Sequence, residues 1–152
     1  MQRPLSIKLF ALLFGFATLV ALLLALYAVN VAEFGARIRP EAAATLAARI
    51  TMIRLVGIGF AVSLMLFVLF GRSAAARGAL GVRWVMSFAT SIVFLRVIGV
   101  IAPVGDSGMA ATALSVIQLG AEGLAILILH GPDAAPWFER PLPHLSVDHP
   151  RP

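Results

Sequence analysis

The chain has 152 residues, of which 61% are hydrophobic and 12% are charged, and its formal net charge is +5. Soluble domains are typically about 45–50% apolar and about 25% charged, so this composition excludes an ordinary soluble domain and predicts a membrane protein. The absence of cysteine from the sequence excludes disulfides, thiolate metal sites and thiol redox chemistry. The length leaves room for one domain.

The positive charge lies mostly in short segments between apolar runs, where the signals that set membrane topology are found. We therefore expect the lipid bilayer, and not a nucleic acid, to be the partner of these residues. Arginine outnumbers lysine eleven to one and alanine is abundant. This bias is typical of GC-rich bacterial genomes, so we predict a bacterial inner-membrane protein.

Four apolar runs follow one another, each close to the ~20 residues that a helix needs to cross a ~30 Å hydrocarbon core. Each run is apolar around most of its circumference, unlike an amphipathic helix of a soluble protein. The first is longer than the apolar region of a signal peptide, so we expect it to be retained. The sequence thus predicts an all-α, four-transmembrane-helix bundle over residues 1–130. The predicted helices cover residues 9–31, 52–70, 84–101 and 113–129.

Short connections join the predicted helices. Residues 71–83 link the second helix to the third, and a glycine-rich turn links the third to the fourth. The second helix is predicted to extend back to about residue 40, because Pro40 suits the first helical position and Glu41 the first turn. Residues 131–152 hold six of the nine prolines and are predicted to form a flexible, proline-rich cytoplasmic tail.

Counts of arginine and lysine predict the orientation of the bundle. Seven of these residues lie on the side that holds both termini and the second connection, and three lie on the opposite side in the first connection. Both termini are therefore expected in the cytoplasm. The seven are Arg3, Lys8, Arg72, Arg77, Arg83, Arg140 and Arg151, and the three are Arg37, Arg39 and Arg49.

Small residues recur at helical spacing inside the spans. Gly57 and Ala61 lie four residues apart in the second run, and Gly120 and Gly123 lie in the fourth. Lipid tails are as apolar as leucine, so close contacts at small residues and polar contacts hold membrane helices together. We expect these positions to allow close helix packing, and we infer no specific dimer from them.

The fourth run carries a polar stripe, in which Ser115, Gln118 and Glu122 follow one another at spacings of three and four residues. This spacing places the three side chains on one helical face. A charged side chain in mid-membrane costs about 2.5–3.5 kcal/mol on insertion scales. The stripe is therefore predicted to face the interior of the bundle.

Arg96 and Arg54 are the arginines that fall inside the predicted spans. At 1.5 Å per residue, Arg96 and Glu122 differ by only ~6 Å in depth, whereas Arg54 lies ~13 Å from Glu122. We therefore predict an Arg96–Glu122 pair supported by Gln118 or Ser115, with Arg54 in an outer layer of the same intramembrane polar network.

Two interpretations of this pair remain open. It can lock two helices in register, or it can form a solute or proton site in mid-membrane, and the lack of a second acidic relay in the sequence favours the structural role. All three histidines lie outside or at the end of the spans, so a Ser-His-Asp triad and bis-histidine haem are not expected. We predict no enzyme activity, no cofactor and no metal site.

Short motifs surround the charged residues: IRLVG at residues 53–57, LRVIG at 95–99, a turn that contains Asp106, and Glu122 in the last span. This pattern resembles a family of uncharacterised bacterial four-helix membrane proteins, which carry R-x-x-G in helix two, R-x-x-G/S and an Asp-Gly turn in helix three, and Glu in helix four. The resemblance covers about residues 10–130, although here a serine separates the aspartate from the glycine and a proline-rich tail follows. It implies the fold and groups the two arginines with the glutamate, and it implies no activity.

The sequence therefore predicts a non-catalytic inner-membrane protein whose polar core organises the bundle. The first alternative is an accessory or assembly subunit of a larger membrane complex, which predicts a membrane-protein partner or a homo-oligomer. The second is a carrier or channel component for a small solute, which predicts a wet cavity that reaches Arg96 and Glu122 from one side.

Overall fold

A computed structural model of the chain describes residues 3–38, 40–101 and 106–139, and all long elements in these ranges are α-helices. Helices that follow one another in sequence are neighbours in space, and the fourth packs against the first to close the bundle. The elements are α1 (Leu5–Ile38), α2 (Pro40–Leu69), α3 (Ala74–Ile101), α4 (Asp106–Leu129) and the short α5 (Ala135–Glu139).

The start of α3 differs from the prediction. The helix begins at Ala74 rather than at residue 84, so most of the predicted connection is helical. Ser73 caps this helix, because its hydroxyl accepts a hydrogen bond from the Ala76 N–H at 3.2 Å, and an alanine-rich first turn favours helix. In contrast, α2 begins at Pro40, where the sequence predicted it.

Three of the helices contain stretches long and apolar enough to cross a bilayer. They are Leu5–Tyr27 in α1, Thr51–Leu69 in α2 and Met109–Leu129 in α4. Large hydrophobic side chains are exposed along all three helices and along α3. Because unpaired apolar surface of this extent suits lipid and not water, the chain is a membrane protein.

Most of the buried core lies towards one end of the bundle. Phe10 and Phe14 of α1 are almost fully buried there, together with Val68 of α2, Leu80 of α3 and Leu129 of α4. This is the end where α1 and α3 begin and where α2 and α4 finish. We call it the arginine-rich end, after Arg3, Arg72 and Arg77.

The chain that follows α4 docks on this end. Trp137 of α5 is 6% exposed, and its indole N–H donates to the Val68 carbonyl at 3.0 Å. The Asp133 carboxylate accepts the Ser6 N–H at 3.2 Å, so it satisfies a free donor in the first turn of α1 and complements the helix dipole. The predicted tail therefore begins as ordered structure, and its remainder, residues 140–152, lies outside the described residues.

Each of the three arginines that define this end lies over an aromatic ring, in the geometry of a cation–π contact. Arg72 has a φ of 47°, a left-handed conformation that costs an L-residue about 1–2 kcal/mol. Its stacking on Trp137 offsets part of that cost. The guanidinium-to-centroid distances are 5.3 Å for Arg3 on Phe70, 4.7 Å for Arg72 on Trp137 and 5.0 Å for Arg77 on Phe138.

Replacing Trp137 by alanine is expected to lower the thermal stability of the purified protein in mild detergent. The loss is about 3 kcal/mol, because the substitution empties a buried site and leaves the Val68 carbonyl without its donor. Trp137→Phe, which keeps a ring, should cost less. Phe88→Ala is the control, since Phe88 is 51% exposed. Equal melting temperatures for the two alanine variants would contradict the docking of α5.

Candidate functional site

The polar stripe of α4 faces the interior of the bundle, as its spacing predicts. Ser115, Gln118 and Glu122 are 1%, 4% and 2% exposed. The Ser115 hydroxyl oxygen and the Gln118 carbonyl oxygen have no hydrogen-bond partner among the described residues. Exposure of the Glu122 charge to lipid would be costly, so this face favours one rotation of α4 about its axis.

Glu122 forms an ion pair with Arg83 of α3. The early start of α3 explains this pairing. Arg83 lies nine residues from Ala74, about 14 Å along the helix, and Glu122 lies seven residues from Leu129, about 11 Å. Both distances are measured from the arginine-rich end. The two side chains therefore meet at nearly the same depth.

Arg83 also contacts the two remaining long helices. Its Nε–H donates to the Gly57 carbonyl of α2 at 3.3 Å, and its guanidinium lies 5.7 Å from the centroid of the Phe14 ring of α1. A single side chain thus touches α1, α2 and α4 from its position on α3. We call Arg83, Glu122, Gln118 and Ser115 the polar centre.

Small residues on α2 let Arg83 reach the backbone. A carbonyl in a helix points towards the residue four positions on, and Ala61 there carries only a methyl group and is fully buried. Gly57 itself has open space where a side chain would begin. The small side chains of Gly57 and Ala61 therefore leave the Gly57 carbonyl accessible to the Arg83 guanidinium.

The structure does not describe the predicted Arg96–Glu122 pair. The partner of Glu122 is Arg83, and the side chain of Arg96 lies outside the described residues. On the helix backbone, Arg96 is thirteen residues beyond Arg83, or about 20 Å farther from the arginine-rich end. The sequence predicts Arg83 in the connection before the third helix, among the charges that set the topology. The serine cap and alanine-rich turn at residues 73–76 are the signals that would have placed it inside the helix.

Trp84 makes a second tie between α3 and α4. Its indole N–H donates to the Leu119 carbonyl at 2.9 Å. The ring lies so close to Gly123 that a Cβ at that position would be 3.2 Å from three ring atoms. Gly123 therefore packs against a neighbouring helix, as predicted, whereas Gly120 is exposed.

A cavity of about 730 Å³ lies between α2 and α3, and Arg83 is part of its lining. Its floor includes Ala21 of α1, and its rim includes the exposed side chains of Val56, Phe60 and Val82. We call it the lateral cleft, because its exposed rim opens away from α1. Its polar lining consists of Arg54, Arg83, Ser87, Thr90 and Ser91.

Arg54 thus lies in the wall of the lateral cleft and not beside Glu122. It also lines a second cavity of about 220 Å³, which shares Ile53 and Thr90 with the first. On α2 it is fifteen residues from Leu69, about 22 Å from the arginine-rich end. Arg54 and Arg83 are therefore separated in depth by roughly 8–9 Å, in line with the separate layer predicted for Arg54.

No protein-family model, curated protein or solved structure matches this chain. The interpretation of the polar centre and of the lateral cleft accordingly rests on their geometry.

Gly123→Leu is expected to destabilise the protein in mild detergent by about 2 kcal/mol or more, because a side chain there overlaps the Trp84 ring. Gly120→Leu is the matched control on the same helix, since a Cβ at Gly120 meets nothing within 4 Å. Thermal unfolding followed by circular dichroism separates the two. Equal stability would show that Trp84 does not pack on α4 in this way.

Proposed function

We propose that this chain is a non-catalytic bacterial inner-membrane protein whose polar centre holds four membrane-spanning helices in one fixed arrangement. The observation that carries the proposal is the position of Arg83, which reaches a partner on each of the other three long helices. In a membrane, where apolar contact does not distinguish a helix from lipid, such polar contacts decide which helices associate.

The location of the helix ends supports the proposal that α3 also crosses the bilayer, as the fourth membrane-spanning helix. The start of α1, the end of α2 and the segment after α4 meet at the arginine-rich end. If α2 and α4 both cross the bilayer, α4 begins on the opposite side from the end of α2. The chain between them has to return across the membrane, and α3, with 28 residues, is about 42 Å long.

The charge at the arginine-rich end supports a cytoplasmic location for both termini. Arg3, Arg72 and Arg77 lie there, and positive residues are enriched in cytoplasmic connections. The resemblance to uncharacterised four-helix membrane proteins of bacteria remains a prediction. Together these points favour an inner-membrane protein whose arginine-rich end faces the cytoplasm and is anchored by aromatic side chains.

The surroundings of Glu122 favour an organising role over a solute channel. Glu122 is 2% exposed, and among the described residues the walls of the lateral cleft contain Arg83 and not Glu122 itself. A proton or ion path would require a sequence of polar groups that leads to the carboxylate. An accessory role in a larger membrane complex remains the alternative, and a protein that co-purifies in mild detergent at fixed stoichiometry would favour it.

A double-mutant cycle on Arg83 and Glu122 tests the proposal. Glu122→Leu should be the more damaging single change, with a loss of about 3–5 kcal/mol, because a guanidinium cannot be deprotonated and is left buried without its counter-ion. Arg83→Leu should cost less, because a carboxyl group can be neutralised by a proton. The Arg83→Leu/Glu122→Leu double variant should recover much of the stability, since a buried pair is often replaced by apolar residues at little cost.

Thermal unfolding of the purified variants in mild detergent is the measurement, and Arg77→Leu at the arginine-rich end is the control for loss of an arginine. A coupling energy of about 2 kcal/mol or more between the two positions is expected. Additive effects of the two single changes would contradict an organising role for the pair. A cycle in which Arg96, and not Arg83, couples to Glu122 would contradict the arrangement of the polar centre.

A further inference from the structure

We propose that the lateral cleft is a binding site for a single-chain lipophile whose polar end carries an acceptor oxygen, a carboxylate or a carbonyl. This inference goes beyond the organising role of the polar centre, and the two are tested separately. It rests on the size, the shape, the opening and the polar lining of the cleft.

The size and shape of the cleft suit an extended chain. Its volume, about 730 Å³, falls within the roughly 300–1,000 Å³ of pockets that hold small molecules. On α3 its lining runs from Ala79 to Ser91, a rise of about 18 Å along the helix.

The charged groups in the lining of the cleft are hydrogen-bond donors only. A guanidinium has five N–H groups and no acceptor, and two arginines, Arg54 and Arg83, lie in the wall. Arg83 uses part of its donor capacity in its contacts with Gly57 and Glu122. Among the described residues the lining includes no carboxylate. An occupant with acceptor oxygens therefore fits better than one with an ammonium group.

The Thr90 hydroxyl is engaged within its own helix and leaves the two arginines as the charged donors of the cleft. It donates to helix carbonyls on its own helix, at 3.0 Å to Met86 and to Ser87. The hydroxyls of Ser87 and Ser91 lie in the same wall, one and two turns beyond Arg83. They continue the polar side of an otherwise apolar cleft along the direction of an extended chain.

The opening of the cleft points to a ligand dissolved in the membrane. Val56 and Val82 at the rim are 67% and 66% exposed, and Met86 is 64% exposed. These side chains form an apolar entrance between α2 and α3. A lipophile can enter from the acyl-chain region with its tail among the rim residues and its oxygen end towards the arginines.

Photo-crosslinking of the purified full chain in phosphatidylcholine nanodiscs tests this inference. The probe is a palmitic acid analogue that carries a diazirine in the chain and a terminal alkyne, and crosslinked peptides are located by mass spectrometry. Labels are expected on the cleft-lining residues of α2 and α3. Competition with palmitate and with a long-chain isoprenoid quinone distinguishes a carboxylate from a carbonyl head, and hexadecylamine should compete poorly.

Matched variants decide whether the cleft itself is the site. Gly57→Leu fills the cleft and Gly59→Leu does not, although a Cβ meets nothing within 4 Å at either position. Labelling should fall about tenfold or more in Gly57→Leu, since a leucine displaces several methylene groups and each is worth roughly a factor of four in affinity. It should be unchanged in Gly59→Leu.

A second pair on α3 protects the test if Gly57→Leu fails to fold. Val82→Trp blocks the rim, and Val85→Trp places the same bulk at an exposed position outside the cleft. Equal labelling of the blocking and control variants would overturn the inference. Labels spread evenly over the lipid-facing residues of α1 and α4, or equal competition by hexadecylamine, would also overturn it. So would occupation of the cleft by a co-purified protein.

Discussion

A guanidinium cannot shed its charge, so Arg83 carries that charge into the interior of a membrane bundle and has to find partners there. The partners are a carboxylate on α4, a backbone carbonyl on α2 and an aromatic ring on α1. Because each belongs to a different helix, satisfying one side chain fixes the position of three neighbours. Apolar packing alone would not do this, since a leucine surface meets lipid as readily as it meets another helix.

The same interaction relates the polar centre to the lateral cleft. Arg83 joins α3 to α2 at the Gly57 carbonyl, and both residues line the cavity between the two helices, whose wall also includes Arg54. One face of the Arg83 side chain thus completes the core, while another borders a space open to the membrane. Any ligand that contacts Arg83 would therefore act on a residue that holds the bundle together.

Much of the fold follows from the sequence, because its determinants are local. The length of the apolar runs predicts spanning helices, Pro40 marks the start of α2, and the spacing of Ser115, Gln118 and Glu122 predicts the buried face of α4. The partner of Glu122 did not follow. Hydropathy places the start of the third run at Trp84, although the cap at Ser73 sets the true start of α3 and places Arg83 inside the helix.

Other features depend on contacts between distant parts of the chain, which a single sequence does not reveal. The docking of Trp137 on the Val68 carbonyl joins residues 69 positions apart, in a segment whose prolines indicate an extended tail. The lateral cleft depends on how far apart α2 and α3 lie around Arg83. That separation is decided by the packing of α2 on α1 and of α3 on α4, and not by any motif within α2 or α3.

The distance between the Arg83 guanidinium and the Glu122 carboxylate tests the central claim most directly. Solid-state NMR of uniformly ¹³C,¹⁵N-labelled protein in lipid bilayers detects short contacts between arginine side-chain nitrogens and glutamate carboxyl carbons. A contact is expected that is lost in Arg83→Gln and in Glu122→Gln and retained in Arg96→Gln. A contact that survives in Arg83→Gln and disappears in Arg96→Gln would contradict the account.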